Sequence, residues 1–99
     1  MKSDYLRKEE VTMDKKHAHD MHIISIVTRN SLRVLQRISG LFSRYSVNID
    51  QMSIFSGQDG LSYFSVIVYC DDHSVQKLTN QLHKIVEVCD VRIMNHKNF

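Results

Sequence analysis

From residue 21 onward the apolar positions of this chain follow two periods. Met21–Thr28 (MHIISIVT) is rich in β-branched residues and predicts a buried strand. From Ser31 to about Tyr45, Leu32, Leu35, Ile38, Leu41, Phe42 and Tyr45 recur at helical spacing, with Asn30 or Ser31 as N-cap. Val47–Phe55 predicts a second strand, Gly57-Gln58-Asp59-Gly60 a hairpin loop, and Leu61–Cys70 (LSYFSVIVYC) a third strand. Asp71 or Asp72 can cap a second helix that carries Val75, Leu78, Leu82, Ile85 and Val86 on one face. Val88–Met94 closes as a fourth strand, with Cys89, Val91 and Ile93 alternating against Asp90 and Arg92.

The order βαββαβ predicts an α+β, ferredoxin-like domain: a four-stranded antiparallel sheet with two helices on one face. The other face is left open. On the third strand Phe64, Val66 and Val68 point one way and Tyr63, Ser65, Ile67 and Tyr69 the other. Neither set is polar enough to be a plain water-facing surface. A few exposed aromatics on a monomer would explain it, but association through the open face or a sheet edge explains it better, because a domain of this size is marginal alone.

Length and charge narrow the class. Ninety-nine residues make one small domain. Residues 1–20 are dense in charge, with Lys8, Glu9, Glu10, Asp14, Lys15, Lys16 and Asp20, and predict a flexible tail ahead of a domain over 21–96. A net charge of +2 makes no case for nucleic acid. No apolar run approaches the ~20 residues of a membrane span, and the N-terminus lacks the apolar core of a signal peptide. A cytoplasmic protein without a membrane or nucleic-acid partner is expected. Cys70 and Cys89, the only cysteines, are expected as reduced, buried thiols with no metal partner.

This fold hosts several chemistries, so function must come from particular residues. An acylphosphatase-like enzyme would need an arginine in a glycine-rich phosphate loop after the first strand, and none is present. RNA recognition would need aromatics on the first and third strands. Gly60-Leu61-Ser62-Tyr63-Phe64-Ser65-Val66 echoes that pattern without its leading basic residue. A metallochaperone would need paired cysteines in the first loop. His17, His19 and His22 have metal-compatible side chains but no fixed geometry in a tail. His73, His83 and His96 lack a matched carboxylate or cysteine, and no nucleophile–base pair stands out.

One segment is more specific. Asn30…Leu35-Gln36-Arg37-Ile38-Ser39-Gly40-Leu41-Phe42-Ser43-Arg44…Val47-Asn48-Ile49-Asp50 resembles the ACT-domain amino-acid sensors, in particular the small regulatory subunits of acetolactate synthase (acetohydroxyacid synthase). A second stretch, Gln81-Leu82-His83-Lys84-Ile85-Val86-Glu87-Val88…Val91, is similar to that family's exit from the second helix. The resemblance covers about residues 21–94. It implies a non-catalytic, homodimeric subunit that activates a separate large subunit in branched-chain amino acid synthesis. Thiamine diphosphate, a divalent metal and flavin would belong to that partner, and this chain would hold no cofactor.

The resemblance also implies an effector site for valine or another branched-chain amino acid, built from Asn30, Ser31, Leu32, Arg33, Val34, Asn48 and Ile49. Asn30 and Asn48 are expected at its mouth, with helix-start amides for the carboxylate. As plain structure, Asn30 is an N-cap and Asn48 a strand-edge residue. Arg33 stands where the family has glycine. A side chain there blocks the close backbone approach that glycine permits, which predicts weak or absent valine sensing. Arg33, Arg37 and Arg44 form a basic stripe that is either a solvated face or a dock for an acidic partner surface. Leu35, Ile38, Leu41 and Phe42 are expected in the core. Gly40 is expected where the helix lies close to the sheet, or else is a tolerated weak spot. The alternative to a synthase subunit is a free-standing ACT-type sensor or dimeric interaction module without an enzyme partner.

Overall fold

The computed structural model describes residues 20–29 and 32–95. In chain order the elements are β1 (Asp20–Arg29), α1 (Leu32–Arg44), β2 (Asn48–Ser56), β3 (Leu61–Cys70), α2 (Asp72–Leu82) and β4 (Val88–Asn95). Asp20, read as the last tail residue, opens β1; the rest of the expected tail and the proposed caps Asn30 and Ser31 lie outside the described residues.

The four strands form one antiparallel sheet in the order β2-β3-β1-β4. The inner pair, β1 with β3, is unbroken from Asp20↔Cys70 to Arg29↔Leu61. Both outer pairs slip by one residue. Asp50 is the extra residue on β2, between Ile49↔Val68 and Gln51↔Ile67, and Cys89 is the extra residue on β4. Both helices cover the same face. There Ile24, Ile26, Phe64, Val66 and Val68 of the sheet meet Val34, Ile38 and Phe42 of α1 and Val75, Leu78 and Leu82 of α2. Each such side chain contributes about 1.5–3 kcal/mol when fully buried.

Three expectations about the core need correction, and one of the two readings of Gly40 is excluded. Leu35 is 38% exposed, and Val34 is buried in its place. The buried stripe runs Val34, Ile38, Phe42, so position 35 sits on its shoulder, one residue and about 100° further round the helix. Val86 is 83% exposed because α2 ends at Leu82. The chain then leaves in tight turns, with the amides of Lys84, Ile85 and Val88 donating to the carbonyls of Gln81, Leu82 and Ile85. Cys89 is exposed, since the extra residue at the β4 bulge turns it out of the alternation. A Cβ on Gly40 would meet no atom within 4 Å, so no close contact with the sheet requires this glycine.

Helix α1 ends with a device that the periodicity does not reveal. Ser46 has φ 55, the left-handed region. Its amide donates to Ser43 O at 3.1 Å, and the Val47 amide reaches Phe42 O at 2.9 Å. Together these are the paired bonds of a Schellman cap, with buried Val47 and Phe42 as its usual apolar pair. Helix α2 is capped at the other end, where the Asp71 carboxylate accepts from the Ser74 amide at 2.7 Å.

Candidate functional site

Of the expected effector residues that the structure describes, Arg33 and Val34 stand apart from Asn48 and Ile49 within one chain; Asn30 and Ser31 lie outside the described residues. Arg33 is exposed in the first turn of α1. Val34, one position on, is a core side chain, so only its backbone could face a ligand. Asn48 and Ile49 are exposed at the start of β2. Asn48 pairs with Tyr69, which pairs with Met21, so Asn48 is level with the beginning of β1. The α1 start follows Arg29, at the other end of that strand. From Met21 to Arg29 the rise is roughly 26 Å at 3.3 Å per residue. The first turn of α1, with Arg33, and Asn48 therefore lie at opposite ends of the sheet within a single copy.

A buried histidine occupies the end of the sheet where Asn48 lies. His22 is 1% exposed, and its Nε2 lies 3.1 Å from the Cys70 carbonyl and 3.6 Å from Asp72 Oδ1. A carbonyl only accepts, so Nε2 carries the proton in that bond. His22, placed above in the first strand and considered with His17 and His19, groups with Asp20 and Asp72; the ligand-type atoms of these three lie within 4.8 Å of one another. With Nε2 donating, its lone pair is unavailable to a metal. The positive end of α2 at Asp72 also opposes a cation. Burial, then the carboxylates of Asp71 and Asp72, push the neighbouring Cys70 thiol up to about 11.

The hairpin tip is held by one carboxylate. Asp59 accepts from Tyr63 Oη at 2.6 Å and from the Leu61 amide at 3.0 Å. The Tyr63 hydroxyl, then the Leu61 amide, hold the Asp59 carboxyl below its usual range, and the same bond pushes the Tyr63 phenol up. Gly60 turns the chain at φ 80, and a Cβ on Gly57 would lie 2.6 Å from Asp59 Oδ1. Phe55 packs beside Tyr63, ring centroids 6.2 Å apart, and is 67% exposed on the open sheet face. Half-buried Ile23, Val27, Ile67 and Tyr69 continue that face.

A concave feature lies between the helices. A groove of about 420 Å³ is lined by Arg37, Gly40, Leu41 and Arg44 of α1 and by Gln81, Lys84 and Ile85 at the end of α2. Two arginines of the predicted basic stripe meet here; Arg33 does not line the groove. Arg37 Nη1 lies 3.3 Å from Glu87 Oε1, and the Arg44 guanidinium sits 5.9 Å from the centre of the Tyr45 ring. Among the described residues, neither Arg44 nor Lys84 has a carboxylate within ion-pair distance. Lys84 and Gln81 belong to the second matched stretch but carried no functional reading, because nothing in sequence spacing joins residue 40 to residue 84.

Comparison with known proteins falls on the same span. The family profile described as "AHAS small subunit-like ACT domain" matches residues 24–90. A relative from Methanothermobacter thermautotrophicus, described as a "Probable acetolactate synthase small subunit", is 35% identical over 74 residues, covering 74% of this chain and 44% of its own. The crystal structure of the acetolactate synthase small subunit from Thermotoga maritima superposes with a TM-score of 0.67 at 28% identity, covering 74% of this chain and 46% of that one. The chain thus spans less than half the length of these two relatives. The ACT domain of a GTP pyrophosphokinase from Chlorobium tepidum, 21% identical, gives a TM-score of 0.67 over 76% of this chain and 99% of its own, and supports the fold alone.

Proposed function

Because the chain belongs to the AHAS small subunit-like ACT domain family, we propose that it is a regulatory subunit that binds the catalytic large subunit of acetolactate synthase and raises its activity. The observation that carries this is the family match over residues 24–90, which runs from the first strand into the last. The partner would supply the thiamine diphosphate, metal and flavin chemistry of branched-chain amino acid synthesis. This chain would contribute surface and no cofactor. Mixing it with the large subunit of the same organism tests the reading: co-purification and a rise in acetolactate formation are expected, and neither appearing would overturn it.

Effector sensing requires a second copy. β2 is an outer strand with nearly all its side chains exposed, so its outer edge is open to pairing among the described residues. Antiparallel pairing of two β2 strands along Gln51–Ser56 would bring the Asn48 end of one copy toward the Ser56 end of the other. Ser56 is level with Ser62 and Thr28, beside the start of the second copy's α1. A homodimer would so rebuild the corner that one chain leaves open. Arg33 stands in that corner, where its side chain obstructs backbone approach. Calorimetric titration of the dimer with valine, leucine and isoleucine is expected to show weak or no binding; tight binding of any of them would reverse this part of the proposal.

A further inference from the structure

The groove between α1 and α2 has three properties that no feature of the isolated domain explains. Gly40 sits mid-helix, where glycine weakens a helix, yet a Cβ there would meet nothing within 4 Å. Its floor is apolar, from Leu41 and Ile85, both partly buried against the core. Its walls carry Arg37, Arg44 and Lys84, and none of its described lining residues is acidic; Glu87 reaches Arg37 from beside it.

We propose that this groove is the docking site for an acidic, amphipathic segment of the catalytic partner, with the bare backbone at Gly40 as the point of closest approach. The inference rests on the regulatory-subunit reading above and names the surface that performs it. Charge complementarity selects the occupant's sign. Arg37 and Arg44 are seven residues apart, two helical turns or about 10 Å along the axis, so a segment lying along the groove meets a cation near each end. A segment with an acidic residue near each arginine and an apolar one between them matches cation, apolar floor, cation in order. Glu87 engages Arg37 through one nitrogen, leaving the other donors of its guanidinium to turn toward an incoming carboxylate. Glycine between the two arginines removes the side chain that would hold the incoming backbone away.

The test uses the full chain and the catalytic large subunit of the same organism. Affinity is measured by calorimetry at two salt concentrations, and activation by acetolactate formation. The Arg44→Glu, Lys84→Glu double variant is expected to bind about ten- to a hundredfold more weakly and to lose most of the salt dependence. Gly40→Leu fills open space, so it should melt no lower than the wild type yet bind at least about tenfold more weakly. Arg92→Glu, on the open sheet face, is the control and should bind as the wild type does. If the wild type binds and both groove variants bind equally well, the groove is not the dock, although the regulatory reading stands. If the groove variants instead change the chain's own oligomeric state at unchanged partner affinity, a second copy occupies the groove and the proposal falls. If the wild type neither binds nor activates, both readings fall together.

Discussion

The Val47 amide closes helix α1 by donating to the Phe42 carbonyl at 2.9 Å, over the top of Ser46. Ser46 must adopt φ 55 for that bond to form. A left-handed residue with a Cβ costs about 1 kcal/mol, and glycine removes the cost at the price of a more flexible unfolded chain. Ser46→Gly is therefore expected to stabilise the domain by about 0.5–1 kcal/mol. Thermal unfolding should show the midpoint rising by a few degrees; a fall would mean that the serine side chain has a role in the cap.

The exchange of Leu35 for Val34 in the core makes a paired test. Ile38→Ala removes a fully buried side chain and should destabilise by about 2–5 kcal/mol. Leu35→Ala, one turn earlier but on the rim, should cost less than about 1 kcal/mol. Denaturant titrations that gave equal losses would return Leu35 to the core.

The hairpin tip carries a pH dependence of known sign. Asp59 titrates below its ordinary 3.8 because its ionised form accepts from Tyr63 and Leu61, so its contribution is present above that value and is lost as pH falls through the lowered one. Tyr63 titrates above its ordinary 10.0, so the neutral phenol's contribution is present below 10 and is lost as pH rises through the raised value. The lock is thus fully closed between about pH 4 and pH 10. Tyr63→Phe should move the Asp59 midpoint, read by carboxyl-carbon NMR, back up toward 3.8. An unmoved midpoint would show that Leu61 alone holds it down.

The two cysteines should react at different stages. Cys89 is exposed at the β4 bulge, whereas Cys70 is buried and its thiol is pushed up to about 11. Thiolate is the reactive form. A disulfide-exchange reagent at pH 8 is expected to titrate one thiol per chain in the folded protein and both after denaturation. Rapid modification of both without denaturant would contradict the burial of Cys70.

Element order was legible because strands and helices impose their own periods on a short chain, and the resemblance in 30–50 and 81–91 reached the right family. What stayed hidden depended on partners distant in sequence or on single backbone angles. The resemblance implied a shared mouth for Asn30 and Asn48. But β1 and β2 both run antiparallel to β3, so Asn48 lies at the opposite end of the sheet from the first turn of α1. Lys84 meets Arg44 only because both helices lie on one face. Ser46 looks like any loop serine until its φ is known, and Cys89 fits a strand alternation until the bulge shifts it.

The displaced register at Asp50 and Cys89 bears on how far this sheet can grow. Both irregular positions fall on the outermost strands, while the central ladder is regular throughout. A strand arriving from outside meets evenly spaced backbone only along Gln51–Ser56 or Asp90–Asn95. Such a short landing strip can seat one partner in a single register. It makes a poor template for strand after strand, so the same irregularity that interrupts pairing within the molecule guards against open-ended stacking between molecules.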